Sequence, residues 1–336
     1  MTAVAVDLGG TFLRCAIVSD SGQVTDIVSV RLERHPQHQS PEVIWDQIFD
    51  AIEDFAGRAH SGLSRGDPIA FAFPGPIVDH ARIAGAPTVV GNAPAMPDVV
   101  KILRERTGRP VYLLNDLSAA AWYYLDATLD NRFMVVTVSS GIGSKLADRA
   151  HPDRVLDGRA LAGEIGHIVV DASLDAPVCD CGGRGHLGAI SSGRGTENLA
   201  RRTSRLDPGT FDRSLCAATF GATQDRLTNE EHLVPAALAG DTWAWNVICK
   251  AQEPLALALA TAIVAASLER VLVIGGFAAT LGDRYIDRLC DAVQERTNSN
   301  LIDIQIHDVI VFGQSAGDAC LRGAGLFAAS VAPTAR

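Results

Sequence analysis

The chain has 336 residues, of which 47% are hydrophobic and 20% are charged, and its formal net charge is −10. This composition is typical of a folded globular protein and excludes a largely disordered chain. An acidic chain with no run of Lys or Arg is unsuited to nucleic acid, so we expect a small-molecule partner. The length favours two lobes with a cleft between them.

The ends of the chain and its longest apolar stretch predict a cytoplasmic protein. No basic segment with a cleavage site precedes the first apolar run at residues 4 to 6. Residues 254 to 268 are apolar but short for a membrane span, and Pro254 suits a helix N-terminus, so we predict a buried core helix that begins there. Seven cysteines, an odd number, argue against a disulfide framework.

Three antiparallel strands are predicted at residues 4 to 7, 12 to 18 and 24 to 30. The turn after the first strand contains Asp7, Gly9, Gly10 and Thr11. A carboxylate, two glycines with exposed N–H groups and a hydroxyl can hold nucleotide phosphates and Mg²⁺. The alternative is an ordinary hairpin turn with a solvated Asp7.

The first lobe continues with alternating helices and strands. Ser40 and Pro41 predict the start of an amphipathic helix, and strands at 69 to 73 and 111 to 114 flank a helix near 99 to 106. The second of these strands ends at Asn115 and Asp116, directly before another helix. A carboxylate there could act as general base and the amide could hold a substrate, but these two residues taken alone favour the alternative, in which Asp116 only caps the helix.

A second series of elements resembles the first. Residues 133 to 139 predict a strand, Gly141 and Gly143 a turn, and residues up to 146 another strand. The recurrence predicts two lobes related by duplication. We place a smaller α/β lobe at residues 1–117, completed by a C-terminal helix at about 316–336, and a larger α/β lobe at 118–315. A strand at 271 to 274 in the larger lobe leads into Gly275 and Gly276.

A cluster of metal-binding residue types lies in the larger lobe. Cys179 and Cys181 share a glycine-rich loop, with His167 upstream and His186 downstream. Two thiolates and two imidazoles form a complete tetrahedral set, so we predict a structural Zn²⁺ site. A surface loop with free cysteines is the alternative.

Several short motifs in fixed order resemble those of the ROK (repressor, open reading frame, kinase) family of sugar kinases, over nearly the full chain. They are DLGGT at 7–11, FPGP at 73–76, NDLSAAA at 115–121, SSGIGSKL at 139–146, GEIGH at 163–167, CDCGGRGH at 179–186 and VLVIGG at 271–276. The resemblance implies a two-lobed α/β actin-like ATPase fold of the hexokinase and ROK type with a central cleft. It also implies an ATP-dependent kinase that uses Mg²⁺ and forms a homodimer.

The resemblance further implies roles for individual residues. Those expected around ATP are Asp7, Gly9, Gly10, Thr11, Ser140, Gly141, Gly143, Gly275 and Gly276. Those expected to face the sugar are Asn115, Asp116, Glu164 and His167, with Asp116 as catalytic base and His167 also a zinc ligand. Repressors of the family carry an N-terminal helix-turn-helix, whereas here the phosphate motif begins at residue 7, which argues against that role.

Three departures from the family pattern bear on the substrate. His186 stands in place of the family's third cysteine, and Gly188 in place of a Glu that contacts the anomeric end of the sugar. At residues 87 to 92 a sugar-facing amide is either lost or replaced by Asn92. A lost polar contact lowers affinity for the substrate that used it.

We therefore expect a substrate that differs from glucose near the anomeric end. The main hypothesis is a C7-cyclitol of the valienone or valiolone type, from aminocyclitol antibiotic biosynthesis, phosphorylated on its exocyclic hydroxymethyl group. The alternatives are a hexose or N-acylhexosamine kinase and a non-catalytic sugar sensor.

Overall fold

The computed structural model of the chain describes residues 2–9, 12–32, 40–58, 60, 62–90, 96–159, 161–297, 305–314 and 317–331. Gly10, Thr11 and Asn92, three of the predicted site residues, lie outside the described residues, as does the predicted helix start at Ala316.

The secondary structure alternates strands and helices over most of the chain. The strands are β1 (Thr2–Leu8), β2 (Phe12–Ser19), β3 (Val24–Arg31), β4 (Ile69–Phe73), β5 (Ile77–Val78), β6 (Arg82–Ile83), β7 (Val111–Asn115), β8 (Arg132–Val138), β9 (Ile142–Asp148), β10 (Arg270–Ile274) and β11 (Ile310–Phe312). The α-helices are α1 (Pro41–Gly57), α2 (Pro87–Val90), α3 (Val99–Thr107), α4 (Asp116–Ala127), α5 (Leu187–Ser191), α6 (Gly193–Leu206), α7 (Pro208–Asp212), α8 (Leu215–Ala218), α9 (Val234–Leu238), α10 (Thr242–Ala266), α11 (Gly276–Leu281), α12 (Asp283–Thr297), α13 (Ile306–Val309) and α14 (Ala319–Val331). A 3₁₀ helix covers Ile165–His167, and a π-helix covers Asn229–Leu233.

The chain divides into two compact units. Unit 1 comprises Met1–Leu129, Ala147–Ala162 and Ser315–Arg336, and unit 2 comprises Asp130–Leu146 and Gly163–Gln314. The predicted lobe boundary at residue 117 falls inside helix α4, which belongs to unit 1 as a whole. The chain therefore passes from one unit to the other four times, after residues 129, 146, 162 and 314.

Unit 1 is built on a five-stranded sheet with the order β3-β2-β1-β4-β7. Strands β1, β2 and β3 are antiparallel neighbours, which confirms the predicted opening of the fold, while β4 and β7 run parallel to β1. Helix α1 begins at Pro41 after Ser40 and buries the predicted apolar face, including Ile44, Ile48 and Ile52. Parallel strands β1, β4 and β7 thus place their carboxyl ends at one edge of this sheet.

Helix α14 packs closely against helix α4 and strand β2 inside unit 1. A Cβ atom at Gly323 would lie 1.8 Å from the carbonyl oxygen of Ala119, and one at Gly325 would lie 2.3 Å from Cγ1 of Val18. Only glycine permits such an approach of the helix to its neighbours. The predicted close packing of small residues in this helix is confirmed.

Unit 2 is built on a four-stranded sheet with the order β11-β10-β8-β9. Strands β8, β10 and β11 are parallel, and β9 follows β8 after a short turn. The same order of strands, β7-β4-β1-β2, occurs in unit 1. The two sheets therefore share an order of strands, and the duplication of the lobes stays a prediction.

Helix α10 differs from the prediction at its start. It begins at Thr242 rather than Pro254, because the Asp241 side chain caps it by accepting the N–H of Ala244, and apolar residues such as Trp243 and Ile248 extend its buried face. Pro254 lies inside the helix, where packing outweighs the loss of one backbone donor. The 25-residue helix has the length and hydropathy of a membrane span, but half of its apolar window is buried, and it packs against α12.

Candidate active site

The carboxyl-end edge of the unit 1 sheet carries three of the predicted site residues. Asp7 lies near the end of β1, Asn115 ends β7, and Asp116 begins helix α4 directly afterwards. Across the parallel strands Asp7 pairs with Ala72, and Phe73 pairs with Asn115. The sheet edge where ligands bind in α/β folds thus carries two carboxylates and an amide.

An arginine that the sequence interpretation missed holds the Asp7 carboxylate. Arg14 Nε donates to Asp7 Oδ2 at 3.0 Å, Nη2 contacts the same oxygen, and Nη1 donates to the carbonyl of Gly317. Asp7 is only 5% exposed. A buried carboxylate needs such a partner, and this fixed anion suits a cation bound to nucleotide phosphates. Asp7 and Arg14 are direct partners in the β1-β2 hairpin register, so counting that register would have found the pair.

Asn115, and not Asp116, is the N-cap of helix α4. Its Oδ1 accepts the N–H of Leu117 at 2.9 Å, and its Nδ2 donates to the carbonyl of Gly75 at 2.9 Å, which fastens the FPGP loop to the sheet edge. Asp116 is the first residue of the helix and is partly exposed, with Oδ1 2.8 Å from the same N–H. The capping role proposed as the alternative for Asp116 therefore belongs mainly to its neighbour.

The thiol of Cys320 on helix α14 shows that Asp7 and Asp116 share one neighbourhood. Burial raises the pKa of the Cys320 thiol, the nearby carboxylates of Asp7 and Asp116 raise it further, and Arg14 opposes them. Its Sγ lies 3.9 Å from the carbonyl oxygen of Asp116. Unit 1 thus holds a small acidic group of side chains backed by α14.

Two glycine turns meet at the corresponding edge of the unit 2 sheet. Strand β8 ends just before Ser139, β10 ends just before Gly275, and Thr137 pairs with Ile274. Gly275 has φ +105°, and a Cβ there would lie 2.6 Å from the carbonyl oxygen of Val138. The structure therefore brings together the two turns that were assigned to ATP, and in that arrangement Gly275 must be glycine.

Replacing Gly275 by Ala is expected to weaken ATP binding by at least about tenfold, because strain of about 1–2 kcal/mol and the clash with β8 both displace the turn. Binding of a non-hydrolysable ATP analogue by calorimetry measures the effect. Gly221→Ala is the matched control, since Gly221 also has a positive φ of +70° but a Cβ there has no heavy atom within 4 Å and the residue has no predicted contact with ATP. Equal affinities of the two variants would contradict the role given to Gly275.

Glycines also fix the segment that carries Glu164 against strand β9. A Cβ at Gly163, where φ is +77°, would lie 2.0 Å from the carbonyl oxygen of Ser144, and one at Gly166 would lie 2.2 Å from that of Ile142. The Glu164 Oε1 lies 3.8 Å from Nζ of Lys145, whose side chain is 8% exposed. Lys145 had no role in the sequence interpretation, and its ammonium group forms an ion pair with the Glu164 carboxylate.

Gly188 lies in helix α5, close to the same segment. A Cβ at this position would lie 3.2 Å from the carbonyl oxygen of Gly166. A side chain at residue 188 would therefore press on the backbone between Glu164 and His167. Its absence lets α5 approach the 3₁₀ helix that contains His167.

The four residues predicted to bind zinc form one cluster in unit 2. Their ligand atoms all lie within 4.8 Å of one another, with Cys179 Sγ 3.9 Å from His167 Nδ1 and Cys181 Sγ 3.3 Å from His186 Nδ1. Tetrahedral coordination by Zn²⁺ separates sulfur and nitrogen ligands by about 3.5 Å. The cluster is thus a candidate metal site with the donor set that Zn²⁺ prefers.

A further residue that the sequence interpretation missed joins the loop at residues 179–186, called the metal loop below, to the glycine turn at residues 139–143. Arg194, the second residue of helix α6, donates from Nε to the carbonyl of Ser140 at 2.9 Å, and its Nη1 lies 2.6 Å from Oδ2 of Asp180. Asp180 stands between Cys179 and Cys181. No sequence signal singles out this contact, because it depends on how α6 packs.

Comparison with known proteins gives a consistent result over the whole chain. A family model described as the ROK family matches residues 3–330. The C(7)-cyclitol 7-kinase of Streptomyces hygroscopicus subsp. jinggangensis (strain 5008) is 35% identical over 332 residues, which cover 97% of this chain and 93% of that protein. The N-acetylmannosamine kinase of Escherichia coli (strain K12) is 34% identical over 205 residues, 60% of this chain and 65% of that protein.

Solved structures with similar folds agree with these matches. The ROK hexokinase from Thermus thermophilus has a TM-score of 0.73 at 27% identity and covers 97% of both chains. A ROK family glucokinase from Streptomyces griseus, solved with glucose and AMPPNP, has a TM-score of 0.71 at 22% identity, with 97% of this chain and 98% of that chain covered.

Proposed function

Since the chain belongs to the ROK family and is an ATP-dependent kinase with the actin-like ATPase fold of ROK hexokinases, we propose that its acceptor is a C7-cyclitol of the valienone or valiolone type, phosphorylated on the exocyclic hydroxymethyl group. The coarser activity, phosphorylation of a sugar or sugar-like compound, follows from the named kinases among its relatives.

One observation carries the choice of a cyclitol over a hexose. The predicted contact to the anomeric end of a sugar is missing at Gly188, which has no side chain, and a Cβ added there would lie 3.2 Å from the carbonyl oxygen of Gly166. A site without a partner for the anomeric hydroxyl suits a ring that lacks this group. The full-length match to a C(7)-cyclitol 7-kinase supports the same choice.

In the mechanism that we propose, Asp116 accepts the proton of the acceptor hydroxyl. The hydroxyl oxygen forms a bond to the γ-phosphorus of ATP as the bond between that phosphorus and the β,γ-bridging oxygen breaks, and ADP leaves. Asp7, held by Arg14, would bind Mg²⁺, which neutralises charge on the phosphates.

Residues of unit 2 would bind the rest of the two substrates. The turns at Ser139–Gly143 and Gly275–Gly276 offer N–H groups to the phosphates, and Glu164, oriented by Lys145, and His167 would hydrogen-bond acceptor hydroxyls. Asn115 makes one donor contact and one acceptor contact within the protein. Its amide would hydrogen-bond a hydroxyl of the acceptor with its second N–H hydrogen or its second oxygen lone pair.

We propose that the metal is Zn²⁺ with a structural role. Two cysteines and two histidines fill all four positions of a tetrahedral site, which leaves none for water or substrate. Zinc would hold the loop from Cys179 to His186 and fix His167 beside the Glu164 segment. The predicted homodimer remains a prediction.

A panel of acceptors tests the proposed substrate. In an assay of ADP release, kcat/KM for valienone or valiolone should exceed that for glucose, mannose and N-acetylmannosamine by at least about a hundredfold, since a mismatched polar contact costs about 1–3 kcal/mol and several hydroxyls differ. A preference for one of the sugars would contradict the cyclitol assignment. Binding of acceptors without ADP release would instead favour the sensor.

Variants at residue 188 test the reason for this preference. Gly188→Glu should raise kcat/KM for glucose relative to the cyclitol, whereas Gly188→Ala adds the same Cβ and the same crowding without a carboxylate. The difference between the two variants isolates the carboxylate from the steric effect. Identical substrate profiles would remove Gly188 as a determinant.

A further inference from the structure

We propose that Arg194 is a positioning residue that couples the metal loop to the phosphate-binding turn, so that the metal and ATP each bind more tightly when the other is present. The inference rests on the proposed function, which assigns the Ser139–Gly143 turn to ATP and the Cys/His cluster to Zn²⁺. It goes beyond that function by giving the metal an effect on nucleotide affinity through a named ion pair.

The geometry of Arg194 allows this role because one guanidinium group contacts both sites. Its Nε donates to the carbonyl of Ser140 at 2.9 Å, in the turn, while Nη1 lies 2.6 Å from Oδ2 of Asp180, in the metal loop. Arginine is a rigid planar fork, so a displacement of Asp180 turns the whole group. The orientation of the Ser140 peptide therefore depends on where Asp180 lies.

The start of helix α6 is docked firmly on the phosphate turn. The N–H of Gly193 donates to the carbonyl of Ser139 at 2.7 Å, and a Cβ at Gly193 would lie 2.9 Å from that oxygen. The Nδ2 of Asn229 donates to the carbonyl of Gly193 at 2.6 Å, and Ser192 caps the helix through the N–H of Gly195. Because the backbone of Arg194 is fixed in this way, a displacement of the metal loop moves the Arg194 side chain relative to the turn.

A metal bound in the cluster would restrain Asp180 from both sides. Its two chain neighbours, Cys179 and Cys181, are both members of the metal cluster. The side chain of Asp180 is 72% exposed, so the packing around it restrains it weakly. Fixing both neighbours removes conformational freedom before the nucleotide binds, and such pre-ordering produces positive cooperativity.

The expected size of the coupling is modest. The Arg194 side chain is 60% exposed, and exposed ion pairs change affinities by about two- to fivefold. Zn²⁺ should therefore tighten AMPPNP binding by about two- to fivefold. Thermodynamic linkage requires AMPPNP to tighten Zn²⁺ binding by the same factor.

Calorimetric titration of the full-length protein with AMPPNP, with and without bound Zn²⁺, measures the first factor, and chelator competition with and without AMPPNP measures the second. Arg194→Gln and Asp180→Asn should each reduce both factors to one, and the double variant should lose no more than either single variant. Asp180→Glu keeps a carboxylate and should therefore retain part of the coupling that Asp180→Asn loses. In turnover assays of Arg194→Gln and Asp180→Asn, KM for ATP should rise relative to the zinc-loaded wild type, while KM for the acceptor stays unchanged.

The ion pair between Arg202 and Asp175 is a matched control in the same unit. Its nitrogen-to-oxygen distance is 2.8 Å and its side chains are 56% and 71% exposed, close to the values for Arg194 and Asp180. Arg202→Gln and Asp175→Asn should leave both factors unchanged.

Two results would overturn the inference. Equal AMPPNP affinity of the zinc-loaded and zinc-free wild type contradicts it and leaves the kinase assignment intact. Variants of Arg194 and Asp180 that keep the wild-type factors also contradict it. A wild type that binds no AMPPNP in either state would refute the proposed function itself, which is a different observation.

Discussion

Replacing Asp116 by Asn is expected to lower kcat by about 10²- to 10⁴-fold, the contribution typical of a positioned general base. An amide has nearly the same size as the carboxyl group but cannot accept the hydroxyl proton. The fold should survive, because Asn115 caps helix α4 and the amide oxygen of the new residue can still accept the N–H of Leu117. Initial rates of ADP release, measured beside a thermal melt, test both expectations.

The same helix offers a matched control. Asp126 lies near the other end of α4 and pairs with Arg322 at the protein surface. Asp126→Asn removes one carboxylate from the helix and should change kcat by less than about twofold, since exposed ion pairs contribute little. If Asp116→Asn retained the activity of this control, Asp116 would not be the base.

Replacing Cys179 by Ser is expected to remove bound zinc and to destabilise unit 2. Loss of one of four ligands opens the closed coordination shell, and structural zinc contributes directly to folding. We expect a loss of about 3 kcal/mol or more, which lowers the melting temperature by about 6–12 °C for a unit of this size. Elemental analysis gives the zinc content, and calorimetry gives the melting temperature.

Cys249 provides the comparison for this variant. It is a partly buried thiol on helix α10 in the same unit, and it is not a member of the metal cluster. Cys249→Ser should keep one zinc per chain and nearly the wild-type melting temperature. If the wild-type protein folds normally but contains no zinc, without ever having been exposed to a chelator, then Cys179 and Cys181 are ordinary loop thiols.

Local sequence patterns predicted much of the fold because they report local physics. The apolar runs and flanking turns of β1 to β3 and the helical spacing after Pro41 predicted elements that the structure confirms. The four candidate metal ligands could be grouped in advance because a short glycine-rich loop leaves its cysteines close together. These features depend on residues that are near one another in the chain.

Features that depend on tertiary packing were missed. The contact of Arg194 with Ser140 joins residues 54 positions apart and requires the observed packing of α6. The start of α10 was misplaced because Pro254 looked like a helix start, whereas the capping Asp241 and the buried tryptophans after it extend the helix upstream. Helix propensities and local motifs do not determine whether the helix starts at the capping Asp241 or at Pro254, because tertiary packing decides between them.

Helix α14, fitted against Ala119 and Val18 through Gly323 and Gly325, bears on how the protein is made. The sheet of unit 1 contains strands that are synthesised before unit 2, yet one of its covering helices is the last helix that the structure describes. All of unit 2 is synthesised before α14 emerges. Unit 1, although begun before unit 2, should therefore finish folding only after unit 2 has been made, and until then its apolar sheet surface remains open to chaperones.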